Sequence, residues 1–511
     1  MRLGIIDIGS NTIRLVVWEL YGKGFYRIIE EIKENVRIGQ DGHIPVISEE
    51  KIIATLAVLK KFKKFAANLQ VGRTIVVATD PVRRVDNRED FLERIRLETG
   101  YVPIVLNEYE ESYMDFRGVT GSMEVQNSLM VDIGGSSTEL VWIRNNELIE
   151  SASIPYGTLT LTERYHLEDI VTSANHQAMD QLLDSEFRQI PWLFSQPFKT
   201  MILVGGSARA IGRMDRNRKH YPLSLTHNYT LLDLDINMLY TQLMTKNAQG
   251  RARLPGLEMD RADVILGAMA IIKSLCGLTG LTELRVSGNG LREGILYEHI
   301  RSNYEYYPER LDASIYSILA RHNMDVAHAE HVYKLSNKLF QALQDEKQFP
   351  AEWGDVLKCA AMLHDTGMSI RYYDHERHSF YLILNSEING LNHREILMAA
   401  LAASFHRKNN DDLPLAPYSH LINRLDINIA ERLGLLIALA ETFEKNLNGH
   451  IFDLDVEVRN DQITVFPISY EDLETELAEA SKLIPRFSQV FRKNLEIIPR
   501  ILTQEPERQD T

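Results

Sequence analysis

The chain has 511 residues, 44% hydrophobic and 25% charged, an ordinary folded-protein composition with too much length for one core. No apolar run approaches the roughly 18 residues needed to span a bilayer. "MRLGIIDIGS" meets acid and glycine too soon for a signal peptide, and two cysteines, Cys276 and Cys359, offer no disulfide framework, so the reducing cytoplasm is the expected compartment.

The net charge of -15 speaks against a general DNA or RNA binder, but it is unevenly spread. Residues 1–122 carry 18 basic and 18 acidic side chains; residues 446–511 carry 7 and 13. A polyanion can still be held where basic groups line one groove. The neutral N-terminal segment is the better place to look.

In chain order, residues 3–8 and 13–20 read as a β-hairpin with Gly9-Ser10-Asn11 at its turn. Residues 48–69 read as a helix with Ser48 as N-cap. "TIVVAT" (74–79) is a buried strand. Residues 87–100 form a helix capped by Asn87 and stopped by Gly100. "VPIVL" (102–106) is a strand, and 108–119 a helix that opens on Glu108, Glu110 and Glu111. Then "DIGSNTIRLVVW" from Asp7 is echoed by "DIGGSSTELVW" from Asp132. The echo predicts a second strand-turn-strand, with "ELIESASIP" as a third strand. "TMILVGGSARAIGRM" and "ELRVSGNGLREGIL" each read as strand, Gly-rich turn and helix. Two related α/β halves with a cleft between them follow. Residues 312–445 read as almost wholly helical, "IFDLDVEVRNDQITVFPI" after 450 as a hairpin turning near Asn460-Asp461, 470–494 as helical, and "EPERQDT" as disordered.

The repeated phrase carries chemistry. An Asp at a strand end followed by Gly and Ser/Thr makes a tight turn whose N–H groups can cradle phosphate. Alone, each copy is equally a hairpin with a capping Asp. Two copies facing across a cleft favour the phosphate reading. Glu139 stands where the first copy has Arg14, and lies across its hairpin from Asp132, so both carboxylates can reach one metal ion. The three glutamates from Glu108 suit a helix N-terminus electrostatically, and one of them can also serve as a general base. Arg83 and Arg84 on a loop, and Arg292 after a Gly turn, suit phosphate or solvent. The basic runs 60–64 and 213–220 read as solvated faces or as a track for a polyanion.

Together, "GIIDIGSNTIRLVV", "ATDPVRRVDNREDF", "NEYEESYMDFRGV", "MVDIGGSSTELVWI", "VGGSARAIGRM" and "VSGNGLREGIL", in this order, resemble the exopolyphosphatase / guanosine pentaphosphate phosphohydrolase family. That family belongs to the sugar kinase, heat-shock protein and actin superfamily. The resemblance implies two actin-like ATPase-type (ribonuclease H-like) α/β domains, 1–122 and 123–303. A helical domain, 304–445, and a small α+β domain, 446–511, would follow, as in the long family members, with a homodimer as the expected assembly.

It also implies roles. Glu111 matches the family's catalytic glutamate. Asp132 and Glu139 match acids associated with Mg2+, with Asp7 as the first copy's equivalent of Asp132. Gly9, Ser10, Asn11 and Thr12, and Gly134, Gly135, Ser136 and Ser137, match its phosphate loops, and Arg83 an arginine on substrate phosphate. Arg292 joins the phosphate set. Ser112 and Ser136 replace a small residue and a third glycine, and "GGSARA" departs from the commoner turn.

In the helical region, "HAEHVYKLS", "AAMLHDTGM", "HSFYLI" and "SFHRKNN" resemble the HD-type metal phosphohydrolase domain. His328, the pair His364-Asp365, His378 and His406 match its histidines and Asp, and Glu441 stands in for a late Asp. The set would take Mn2+, another divalent metal or Mg2+. A relic that supports a dimer is the other reading.

The expectation is an exopolyphosphatase in which Glu111 activates water and Mg2+ neutralises charge. The alternative is removal of the 5′-terminal phosphate of guanosine pentaphosphate (pppGpp). A silent nucleotide-binding regulator and a kinase of the superfamily rank lower.

Overall fold

The computed structural model describes residues 1–22, 24–39, 46–305, 308–345, 349–407, 413 and 415–502. The terminal segment expected to be disordered, 505–511, lies outside them. The chain divides into two compact units, Met1–Arg310 and Leu311–Thr511.

The first unit opens on β1 (Arg2–Ile8), β2 (Thr12–Tyr21) and β3 (Phe25–Asn35), then α1 (Glu49–Asn68), β4 (Arg73–Ala78), α2 (Asp80–Arg83), α3 (Arg88–Thr99), β5 (Ile104–Val105) and α4 (Glu108–Thr120). It continues through β6 (Asn127–Ile133), β7 (Thr138–Arg144), β8 (Glu147–Ile154), α5 (Thr158–Tyr165), α6 (Ser173–Arg188), β9 (Thr200–Val204) and α7 (Gly205–Arg218). Last come β10 (Tyr229–Leu232), α8 (Asp233–Met244), α9 (Ala248–Arg251), α10 (Ile265–Thr279), β11 (Glu283–Val286) and α11 (Leu291–Asn303).

The repeated phrase becomes a repeated sheet. One sheet runs β3-β2-β1-β4-β5 and the other β8-β7-β6-β9-β11-β10. In both, the first hairpin is antiparallel and the next two strands add in parallel. The inner strands β1 and β6 bury both faces, as strands covered by helices do. On one face of the first sheet, Leu56, Leu59 and Phe62 of α1 meet Leu15 and Val17.

The other face is covered by exchange. Ile295, Leu296 and Ile300 of α11 pack on Leu3, Ile5 and Trp18 of the first sheet. Phe116 and Val119 of α4 pack on Met130, Val141 and Ile202 of the second. Each half therefore sends the helix that follows its last common strand onto the other half's sheet. The two helices touch backbone to backbone: a methyl on Gly118 would fall 2.9 Å from the Gly290 Cα, which only glycine avoids.

Local signals mostly hold. Ser48 caps α1 by accepting from the Lys51 N–H, and Gly100 closes α3 at φ 73°. Asn87 does not cap α3. Its amide instead brackets Ile47, accepting from its N–H and donating to its carbonyl, each at 2.9 Å. The strand expected at 102–106 shrinks to the two residues of β5.

The second unit contains α12 (Arg310–Arg321, entered from the first unit's last residue), α13 (Val326–Asp345), α14 (Gly354–Leu363), α15 (His375–Leu384), α16 (His393–Phe405) and α17 (Arg424–Phe443). The hairpin β12 (Asp453–Val458) and β13 (Gln462–Ser469) follows, then α18 (Glu474–Ser481), α19 (Ile484–Phe491), β14 (Asn494–Ile497) and β15 (Arg500–Ile501). The helix expected over 470–494 is two short ones, with Pro485 at the second helix's start. Two unanticipated strands, β14 and β15, pair in parallel with β13. No helix among the described residues is long and apolar enough to cross a membrane.

Candidate active site

The two turns of the repeat have the same closure. The Gly9 N–H donates to the Thr12 carbonyl at 3.1 Å, and the Gly134 N–H to the Ser137 carbonyl at 3.0 Å. Strand register places Asp7 opposite Arg14 and Asp132 opposite Glu139. The tips meet, with the Ser10 and Ser136 hydroxyls 2.6 Å apart. That approach needs Gly135, because a methyl there would lie 2.7 Å from the Ser10 Cβ. A cavity of about 150 Å3 opens beside the tips, lined by both turns, Thr79, Asp80 and the start of α7.

Acids line the cavity: Asp7, Asp80, Glu111, Asp115, Asp132 and Glu293. The sequence gives Glu111 its place. Asn107 and Glu110 close a reciprocal capping box at 2.9 and 2.8 Å, which fixes Glu110 at the helix end and turns Glu111 inward. Asp115 follows one turn later on the same face. Arg83 donates to Glu111 at 2.9 Å and to the Leu106 carbonyl at 2.8 Å. Burial raises the Glu111 pKa to about 8 despite Arg83, with Asp132 and Asp80 adding to the rise. Burial also lifts Asp132 to about 6, and holds Asp115 and Glu139 well above the carboxylate range with help from neighbouring acids.

Both Asp115 oxygens and Glu139 Oε2 are buried without a hydrogen-bond partner. Acids that raise one another's pKa and leave oxygens orphaned suit a hard divalent cation. The donor set, all carboxylate oxygen and hydroxyl, fits Mg2+.

The cavity is also lined by four arginines: Arg14, Arg209, Arg261 and Arg292. Glu31 binds two of them, Arg292 at 2.7 Å and Arg14 at 3.2 Å. Arg209 donates to the Gly288 carbonyl at 3.1 Å. Burial lowers the Arg209 pKa to about 10, and the like charges of Arg14 and Arg292 add to the fall. Crowded guanidiniums with few counter-charges are completed by an anion rich in oxygens. The cavity thus brings cation-seeking acids and phosphate-seeking arginines together, with Asp7 opposite Arg14 in strand register.

Residues 17–303 match the Ppx/GppA phosphatase family, and residues 311–472 match domain III of that phosphatase. The chain belongs to the Ppx/GppA phosphatase family. Two curated relatives, from Aeromonas hydrophila subsp. hydrophila and Pseudoalteromonas translucida, are each 24% identical. The first match covers 90% of this chain and 91% of the relative; the second covers 94% and 96%. Both are named guanosine-5′-triphosphate,3′-diphosphate pyrophosphatase. Among solved structures, the Ppx/GppA family member of Aquifex aeolicus is 29% identical with a TM-score of 0.52, covering 60% of this chain and 99% of its own. An exopolyphosphatase from Cytophaga hutchinsonii is 26% identical with a TM-score of 0.54, covering 59% and 98%. The α/β part has the actin-like ATPase fold of these Ppx/GppA neighbours.

In this family member, the structure brings Glu111, Asp7, Asp132, Gly9, Ser10, Asn11, Thr12, Gly134, Gly135, Ser137 and Arg292 to the cavity wall. Three expected residues stand elsewhere. Ser136 is turned to Ser10. Glu139 is fully buried beneath the wall, its Oε1 accepting from the Ser137 and Ser153 hydroxyls at 2.6 and 3.3 Å. Arg83 is engaged with Glu111 and Leu106 rather than with the cavity. Sequence reasoning missed Asp115, Arg209 and Arg261 and took Arg14 only as a contrast to Glu139. The spacing of Asp115 four residues after Glu111 was a usable signal; nothing local marks Arg261.

The histidines of the second unit also gather. His328, His364 and Asp365 form one set of three groups within 4.8 Å of one another, and Asp365, His375 and His406 form another. His378, expected as a ligand, belongs to neither set. It lies a helical turn beyond His375, which takes that position instead. Glu441 sits 3.6 Å from His406 and is held by Arg407 at 2.6 Å.

Proposed function

We propose that this Ppx/GppA phosphatase removes the terminal 5′-phosphate of pppGpp, releasing orthophosphate and ppGpp. What supports this over the polyphosphate reading is the pair of relatives whose similarity runs through nearly the whole chain, helical unit included. Polyphosphate is the second reading, carried by the likeness of residues in the α/β part to the Cytophaga exopolyphosphatase.

The chemistry is common to both. Glu111 accepts a proton from water as its oxygen bonds to the terminal phosphorus. The anhydride P–O bond opposite breaks, and its electrons leave on the penultimate phosphate. The arginine wall binds the phosphate oxygens and neutralises the leaving charge. The N–H groups and hydroxyls of the two turns orient the terminal group. Arg83 positions Glu111 through their 2.9 Å bond. A divalent cation, Mg2+ in this reading, would be held by Asp7, Asp115 and Asp132, with Glu139 behind them, and would screen the phosphate charge.

The test is phosphate release from pppGpp and from long-chain polyphosphate under one set of conditions. We expect kcat/KM for pppGpp to exceed that for polyphosphate ends by at least about tenfold, roughly 1.4 kcal/mol of transition-state preference. A preference for polyphosphate would reverse the assignment.

A further inference from the structure

The cavity beside the two turns has a larger neighbour. A second cavity of about 430 Å3 shares Arg14, Gly206, Arg209 and Arg261 with the first, so the two adjoin across those residues. At about 150 Å3 the first is small for a whole nucleotide, since drug-sized ligands fill pockets of roughly 300–1,000 Å3. The rest of a nucleotide substrate must lie beyond it.

The second cavity is not lined as a base pocket. Eight of its nine lining residues are charged and the ninth is Gly206. Pockets for rings are lined mainly by apolar and aromatic side chains. This one carries five cations, Arg14, Lys33, Arg209, Arg213 and Arg261, against three acids, Glu31, Glu258 and Asp260. The acids are already engaged. Glu31 is held by Arg292 and Arg14 at 2.7 and 3.2 Å, Glu258 by Arg213 at 2.9 Å, and Asp260 by Lys33 and Asn35. They fix the long side chains in place and leave a surplus of positive charge.

The walls come from both repeats: Lys33 stands on β3, Arg213 on α7 and Arg261 shortly before α10. Arg261 lies across the start of α7, where a side chain on Gly206 would strike its guanidinium. The first turn of α7 has no side-chain cap. A guanidinium beside an uncapped helix start suits phosphate oxygens. Arg213 and Lys33 line the second cavity and not the first.

We propose that this second cavity binds the 3′-diphosphate of the nucleotide, an inference that rests on the pppGpp reading above. Arg213 and Lys33 read the 3′ arm, while Arg209 and Arg261 stand between the two phosphate arms. GTP has the same reacting triphosphate but no 3′-diphosphate, and leaves Arg213 and Lys33 without a ligand. The subsite therefore selects pppGpp over GTP.

The test compares kcat/KM for pppGpp, GTP and long-chain polyphosphate in wild type, Arg213→Ala and Lys33→Ala. Each variant lowers kcat/KM for pppGpp by about 10- to 100-fold, the size of one hydrogen bond to a charged group, and leaves GTP within about twofold. Retained GTP turnover also shows that the variants fold. A pppGpp-to-GTP ratio unchanged in either variant overturns the subsite, whether both rates fall or neither does. The proposed function fails on a different result, a wild-type preference for polyphosphate over pppGpp. A second measurement needs no turnover, because ppGpp and GDP differ only in the 3′-diphosphate. By isothermal titration, wild type binds ppGpp at least about tenfold tighter than GDP, and Arg213→Ala narrows that gap. Equal binding of ppGpp and GDP by wild type overturns the proposal.

Discussion

Glu111→Gln lowers kcat for terminal-phosphate release by about a thousandfold, within the 10²–10⁴ range of general-base catalysis, and leaves substrate affinity within about threefold of wild type. Glutamine preserves the shape of the side chain and can still accept from Arg83, but it cannot take a proton from water. The effect therefore falls on the chemical step. Circular dichroism should show an unchanged fold, because α4 is capped by Asn107 and Glu110, not by Glu111.

The same residue sets a pH dependence. Burial has raised the Glu111 pKa to about 8 in the metal-free cluster. A base works deprotonated, so kcat/KM falls as pH drops through that value. Mg2+ favours the charged form and moves the limb to lower pH. A limb that ignores Mg2+ would separate Glu111 from the metal-binding acids.

Arg209→Ala raises KM by roughly 10- to 100-fold, because a hydrogen bond to a charged phosphate contributes about 1.5–3 kcal/mol. Arg209 lines the cavity and donates to a backbone carbonyl, that of Gly288, so the loss falls on the ligand. Arg209→Lys recovers the charge but not the planar fork, and should lie between the two. Isothermal titration with a non-hydrolysable phosphate analogue on Glu111→Gln separates this binding loss from the catalytic one. An unchanged affinity would remove Arg209 from the phosphate wall.

Much of this was legible in the chain. The echo of Asp7–Trp18 by Asp132–Trp142 correctly announced two sheets of one topology, because strand, Gly turn and strand are local features. Capping at Ser48 and Gly100 was legible for the same reason. What the sequence hid was non-local. Neither α4 nor α11 states that it will cross to the other half's sheet. Arg209 and Arg261 reach the cavity only through tertiary packing. Asn87 looked like an N-cap, but a tertiary partner, Ile47, claimed its amide. In the second unit, His375 and His378 are equally histidine to a pattern. Only the packing of α15 separates the one that faces Asp365 from the one that does not. The choice between pppGpp and polyphosphate was beyond motif reasoning, because the reacting groups are identical up to the second phosphate.

In the proposed reaction, water attacks the terminal phosphorus in the cleft between the two repeats. Hydrolysis of pppGpp in water enriched in oxygen-18, read by 31P NMR, reports which phosphorus the water oxygen joins. One oxygen-18 atom is expected in the released orthophosphate and none in ppGpp. Oxygen-18 in the nucleotide product, or release of pyrophosphate in place of orthophosphate, would contradict it.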